Sequence, residues 1–329
     1  MVGRLSATTS RGLQPWLILL AMVVGLIVLP RLFSGTVDSF TVYTIIQAFA
    51  DFGLVALGLG LTMVIAEYDL SSAAVYALGG LLAVKFGESS PLLGAALALG
   101  VGITLGVVQG GLMTSLRISS VPVTLGGYVI CAGITSAVAH GKPVPYDNIN
   151  LGIDLNRQIA TVFSPRSLIV LGLFVTAAAI MRFTRVGRSV RAVGGDIRAS
   201  RTAGVRVRAT VLGVMVTSGA CCSLGGALTS FSVASGPSDV SVTPLIFATI
   251  AAILGGVTLT GGRGTPLGIA AGALSLATLN QTLAIVGAAD YLSSIITAML
   301  LLLVTVVTAP DLARSPLGRL RRPHTPAAR

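Results

Sequence analysis

Few residues in this chain could do chemistry, and most of them sit where a soluble enzyme would not place them. Asp51 falls inside the apolar run Tyr43–Ile65. A carboxylate at that depth is costly in a membrane; it faces a bundle interior or a cavity, or else is protonated and structural. The polar break Ala66-Glu67-Tyr68-Asp69-Leu70-Ser71-Ser72 follows, with Ser71 and Ser72 placed to cap the next helix. Interrupted spans mark translocation pathways in many transporters, because broken backbone is tolerated only where protein or water lines it. An ordinary turn between two spans is the competing reading of the same residues. Asn280 and Gln281 lie inside a later apolar run, where amides hydrogen-bond across helices or line a cavity. Asp51, Asp69, Ser71 and Asn280 are therefore the candidates for groups near a pathway.

A second constellation is the basic stretch Arg182–Arg208, which holds eight arginines between two apolar runs. Asp196 offers a short acceptor side chain ahead of Ile197-Arg198-Ala199-Ser200-Arg201, which predicts a helix N-cap. Gly204 stands where a left-handed C-terminal cap is wanted. The spacing predicts a short helix of about two turns. One reading makes this stretch a positive loop that only fixes topology. The other makes it a docking element for a soluble partner, with small Ala199, Ser200 and Ala203 allowing close approach. Further along, the turn containing Gly261, Gly262 and Gly264 is flanked by apolar runs rather than by a strand and a helix. That context argues against a phosphate cradle and for a tight turn with close helix packing.

The elements that must hold these residues are membrane helices. The chain has 329 residues, of which 53% are hydrophobic and 10% charged, and its mean hydropathy is +0.91. Soluble domains carry about 25% charged residues, so the surplus apolar surface here must face lipid. The 40 glycines suit close helix approach in a bilayer. Ten apolar stretches qualify as candidate spans: Pro15–Phe33, Tyr43–Ile65, Ser71–Phe86, Leu92–Thr114, Val121–Ala139, Ser167–Met181, Val211–Val233, Val242–Thr258, Thr265–Val286 and Tyr291–Ala309. Three are short against the roughly 17–25 residues that a crossing needs. The first follows Arg4 and Arg11 like a signal peptide, but its apolar core is too long and no cleavage motif follows, so it reads as retained.

Charge placement orients the expected all-α bundle. With ten spans, seventeen basic residues fall on one side and five (Arg31, Lys85, Lys142, Arg157 and Arg166) on the other. The positive-inside rule then places both termini in the cytoplasm of a cell membrane. The net charge of +11 is accounted for by topology and headgroup contact, so no nucleic-acid partner is expected. Cys131, Cys221 and Cys222 lie in apolar runs, and His140 and His324 have no ligand partners at metal spacing. Neither a metal nor a cofactor is expected. No P-loop motif occurs, the only lysines are Lys85 and Lys142, and no nucleophile–histidine arrangement presents itself. An enzyme is disfavoured, and so is a proton-relay transporter.

At these same stretches the sequence resembles the membrane permeases of ATP-binding-cassette (ABC) importers for ribose, xylose, arabinose and related sugars. That family also includes branched-chain amino-acid permeases. The similarity is carried by AAILGGVTLTGGRGTPLGIAAGALSLATLNQTL at Ala251–Leu283 and by T-R-x-G-R, A-x-G-G-D and A-S-R-x-x-G-V within Thr184–Val205. It is carried also by A-L-G-x-x-x-T ahead of D-L-S in Ala56–Gly80, and more loosely by Arg117–Ile134. The chain departs from the family where Ala66-Glu67-Tyr68 shortens the segment before D-L-S, and where Ser72-Ala73 replaces Val-Gly. Asp196 stands in place of a common Asn, and Asp51 falls where an apolar residue is usual.

The resemblance implies a type II-like importer permease with cytoplasmic tails at 1–14 and 310–329, a permease domain at 15–309 and a coupling loop at 184–208. Gly195, Asp196, Ala199, Ser200, Arg201 and Gly204 would be gripped by a separate ATPase. An extracytoplasmic solute-binding protein would deliver substrate, and a second permease copy would complete the pathway. A monosaccharide cargo is the leading expectation. Nucleosides, branched-chain amino acids or a furanosyl signal remain open, as does a stand-alone channel or secondary transporter.

Overall fold

In the computed structural model, residues 2–32 and 37–308 are described. The basic C-terminal tail at 310–329 lies outside them. Each of the ten apolar stretches contains a helix. These helices are α1 (Val2–Leu32), α2 (Ser39–Val64), α3 (Ser72–Phe86), α4 (Pro91–Leu116), α5 (Ser120–Ala139), α7 (Pro165–Phe183), α10 (Val207–Ser232), α11 (Thr243–Leu254), α12 (Pro266–Ile285) and α13 (Asp290–Thr308). Three shorter helices lie between them: α6 (Ile149–Asn156), α8 (Arg185–Gly195) and α9 (Ile197–Thr202). The expected all-α fold gains one small exception, since β1 (Val144–Pro145) pairs antiparallel with β2 (Ser235–Gly236).

Six helices, α2, α4, α5, α7, α10 and α12, are long and apolar enough to cross a membrane. The other four expected spans are shorter apolar helices, and α1 begins well ahead of Pro15. The chain divides into two compact units, one ending at Gly287 and the other beginning at Ala288 and holding α13.

Local sequence explains where the helices start. Asp38 caps α2 by accepting from the Thr41 N–H at 2.9 Å, and Thr41 Oγ1 reciprocates in a capping box. Ser164 does the same for α7 with Ser167, and Pro165 fills the first helical position where its missing N–H is harmless. Thr265 caps α12 by accepting from the Gly268 N–H at 3.0 Å, and Pro266 fills its first helical position.

In the first unit, α2, α10 and α12 are mostly buried, whereas α4, α5 and α7 present much of their surface outward. Small residues let α10 run at the centre against α2, α3 and α4. A Cβ on Gly102 of α4 would strike the Gly219 carbonyl of α10, and a Cβ on Gly219 would strike the Gly102 carbonyl. With so little hydrophobic drive between helices in lipid, this close backbone approach supplies the packing energy. At the end of α10 farthest from Arg206, Tyr146 packs at a tilt against Phe231, and its hydroxyl donates to the Gly87 carbonyl at 3.0 Å.

Candidate translocation core and coupling face

The polar break Ala66–Ser71 joins α2 to α3, and from Tyr68 onward it is drawn into the bundle. Its backbone and side chains are tied to four helices. Tyr68 donates its N–H to Ser120 Oγ of α5 at 3.2 Å, and its hydroxyl meets Thr249 of α11. Leu70 N–H donates to Thr124 Oγ1 at 3.1 Å. The Asp69 side chain is the hub. One oxygen accepts from the Ser71 N–H at 3.0 Å and the Ser71 hydroxyl at 2.6 Å, and the other accepts from Ser218 of α10 at 2.8 Å. Gln109 of α4 completes the set by donating to Ser71 Oγ at 2.9 Å.

Asp69 is 2% exposed and Ser71 is fully buried. Gln109 sits seven residues before the end of α4, so the break reaches about 10 Å into the bundle at 1.5 Å per residue. This explains why α3 needs only 15 residues: irregular backbone, paired to side chains, spans the rest. The expected cap is corrected here. Ser71 makes no side-chain cap bond to α3, because its hydroxyl is committed to Asp69 and Gln109. Ser72 instead donates back to the Asp69 carbonyl at 2.9 Å.

Asp51 belongs to a second polar cluster, only partly buried, some 20 Å farther along α10 at 1.5 Å per residue. It pairs with Arg166 of α7, whose side chain is 5% exposed against 30% for Asp51. Arg166 also donates to Ser232 Oγ of α10 at 2.9 Å, and to Gln47 Oε1 of α2 at 2.8 Å. Three helices are thus pinned at one ion pair. The charge tally treats Arg166 as a loop residue facing away from the arginine-rich side, but it stands in the first turn of α7 and points inward. The signal was present in Ser164-Pro165-Arg166-Ser167, a helix start, and in the need of a lone mid-span carboxylate for a counter-charge.

The remaining candidate is Asn280. It lines a cavity of about 130 Å³ with Phe49, Phe52, Phe247 and Leu276.

The basic stretch forms two helices rather than one. In α8, Gly187, Val190, Val193 and Gly194 turn inward while Arg185 and Arg188 stay exposed. Asp196 ends α8 and caps α9, accepting from the Arg198 N–H at 2.7 Å and the Ala199 N–H at 3.0 Å. Those two N–H groups hold its carboxyl below the ordinary carboxylate range. Gly204 takes φ +77°, so the left-handed stop after α9 is present as the sequence predicts. Ser200 is buried, whereas Ala199, Arg201 and Ala203 are exposed.

Behind α9 the chain is locked to the polar break. A Cβ on Gly194 would strike the Val64 carbonyl at the end of α2, and that carbonyl also accepts from the Gly262 N–H at 2.8 Å. Gly261 and Gly262 adopt φ of +78° and +76°, and a Cβ on them would come within 3 Å of Ala66 and of Gly195 respectively. Gly264, at φ +135°, abuts Val64 and Val257 in the same way. The glycine turn is therefore a tight junction that joins the ends of α2 and α8. Sequence spacing identifies the turn but not the two helix ends it clasps.

Apolar spanning helices, a backbone break buried among them and a capped helix at one end define a membrane transport permease. The chain matches the family described as the permease component of the branched-chain amino acid transport system over residues 41–305, and it belongs to that family. It is 28% identical over 308 residues to the ribose import permease protein RbsC of Escherichia coli, covering 89% of this chain and 94% of the relative. Similarity to the galactofuranose transporter permease protein YtfT of Escherichia coli is 28% over 281 residues, covering 84% and 80%. The fructose import permease protein FrcC of Rhizobium meliloti is 26% identical over 304 residues, covering 88% and 83%. No solved structure matches the chain.

Proposed function

We propose that this chain is the permease subunit of an ABC importer for a monosaccharide, worked by a separate ATPase that docks on α9. The observation that carries this reading is the continuous connection from α9, through Gly194 and Gly262, to Val64 and the buried break. A partner that moved α9 would displace the junction of α2 and α8, and with it the segment that holds Asp69. Relatives named for ribose, galactofuranose and fructose import support a sugar cargo.

In this reading the ten apolar helices cross the membrane ten times, and both termini and α8–α9 lie in the cytoplasm. A binding protein delivers substrate from outside, and a second copy completes the pathway. The short helices α3 and α11 complete their crossings with paired irregular backbone, as the Asp69 hub does for α3. Gly195, Asp196, Ala199, Arg201 and Gly204 form the docking face, and Ser200 supports it from behind. Asp69 and Ser71 brace the pathway, while Asn280 and the Asp51 pair stand near it.

Gly204→Val tests the reading. A β-branched residue is a severe outlier at φ > 0, so α9 should lose its stop. Uptake of labelled sugar should fail in cells that carry the ATPase and binding protein, while membrane insertion stays normal. Normal transport by this variant would overturn the coupling assignment. Uptake by the reconstituted chain without any ATPase would overturn the ABC reading altogether.

A further inference from the structure

A cavity of about 1020 Å³ opens at the arginine-rich end of the bundle, between the α4–α5 turn and the α9–α10 turn. Arg117, Arg201, Arg206 and Arg208 line it against one carboxylate, Glu67. Among the described residues, none of the four guanidinium groups makes a hydrogen bond or an ion pair. Arginine stays charged in any protein environment, so the four repel one another across the cavity. An anion that accepted from them would relieve that repulsion, and forked guanidinium donors match the paired oxygens of a phosphate.

The rest of the wall says which phosphate. Met113, Ile118, Ile197, Val207 and Val211 supply apolar surface beside the arginines. Ile118 and Ile197 are exposed, as are Leu112 and Leu116 on the last turns of α4 and Val121 and Leu125 on the first turns of α5. A soluble phosphate would leave this apolar surface wet, whereas an amphiphile would cover it while its head reached the arginines. Basic pockets between helices at the cytoplasmic surface bind lipid headgroups by this combination.

We propose that this cavity binds the phosphodiester headgroup of an anionic phospholipid of the inner leaflet, which bridges the α4–α5 turn to α9 and the start of α10. The lipid would engage Arg201 on one side of α9, so that in the lipid-bound chain the docking face open to a partner is Gly195, Asp196, Ala199 and Gly204. The placement in the inner leaflet rests on the cytoplasmic assignment of the arginine-rich end, but binding itself does not.

Native mass spectrometry of the full chain in detergent, titrated with phosphatidylglycerol or phosphatidylcholine, tests this. The chain should retain phosphatidylglycerol and release phosphatidylcholine. The double variant Arg206→Gln/Arg208→Gln should weaken retention about tenfold, as loss of forked phosphate contacts requires. The matched pair Arg185→Gln/Arg188→Gln on α8, outside the cavity, should change it by less than about twofold, as for screened surface charges. Glu67→Gln should tighten retention about threefold by removing the one repelling carboxylate, a gain that misfolding cannot mimic.

Equal losses from the two arginine pairs, or equal retention of both lipids, would sink the proposal. So would displacement of the lipid by millimolar glycerol phosphate, which would assign the cavity to a soluble ligand. If the cavity variants lose ATPase co-purification but keep lipid, the arginines serve a protein partner and the lipid site is wrong. Since no ATPase or transport enters the lipid titration, its failure leaves the transport reading standing.

Discussion

The bundle draws in two carboxylates, Asp69 fully and Asp51 in part, and settles them by different means. Asp69 has neutral partners only: the hydroxyls of Ser71 and Ser218 and one backbone N–H. Asp51 has a guanidinium, shared with Gln47 and Ser232. A hub of neutral donors distributes its support over several weak bonds, each of which can be lost alone. An ion pair concentrates support in one contact, and breaking it strands a charge. The first arrangement suits a bent segment that must keep its shape while its surroundings move. The second suits a fixed pin between α2, α7 and α10.

The largest effect should come from breaking the pin on one side. Arg166→Met leaves the Asp51 carboxylate without a counter-charge. One-sided removal from a buried pair costs about 3–5 kcal/mol, and the 30% exposure of Asp51 places the expectation at the low end. The double variant Asp51→Leu/Arg166→Met should recover most of the loss, since replacing a buried pair by apolar residues is often neutral. Thermal unfolding in detergent, read as a double-mutant cycle, measures both. If the double variant is no better than Arg166→Met, the pair is not the pin, and the Gln47 and Ser232 contacts of Arg166 carry its weight.

Smaller by comparison is Ser218→Ala, which deprives one Asp69 oxygen of its hydroxyl donor. An orphaned buried acceptor costs about 1–3 kcal/mol. The other oxygen keeps Ser71, so the break should hold its path. Hydrogen exchange at Tyr68 and Leu70, whose N–H groups bond to α5, should stay slow. Rapid exchange there would show that the hub is as brittle as the pin and would remove the contrast.

What was legible in the sequence follows the same division. Helices were read well because an apolar run flanked by Ser-Pro or Thr-Pro has one cheap conformation in lipid, and each of the ten stretches contains a helix. The Asp196 cap and the Gly204 stop are local in the same sense, each depending on neighbours a few residues away. Partnerships were not legible. Nothing near Asp69 in the chain points to Ser218 or Gln109, and Arg166 reads as a loop charge until α7 is seen to begin one residue before it. Likewise α8 was missed as a helix, because its arginines mask the inward Val190 and Val193 in a composition reading.

A third carboxylate extends the comparison to full exposure. Asp196 is held by the N–H groups of Arg198 and Ala199 at the start of α9, with no burial to amplify them. Its effect on global stability should be the smallest of the three, and its effect on α9 the most local. A depressed folded pKa means that the charged form is favoured in the fold. The stabilisation is then fully present above the unfolded value of 3.8, and it is lost as pH falls below 3.8 through the folded pKa. Asp196→Asn keeps a capping acceptor and should remove this acid dependence while leaving α9 ordered. Asp196→Ala should speed hydrogen exchange at Ser200 and Ala203 at neutral pH, with the global unfolding midpoint barely changed. If Asp196→Ala instead lowers that midpoint as far as Ser218→Ala does, α9 is part of the core rather than an appendage at its end. A partner could then not move it without loosening the whole bundle.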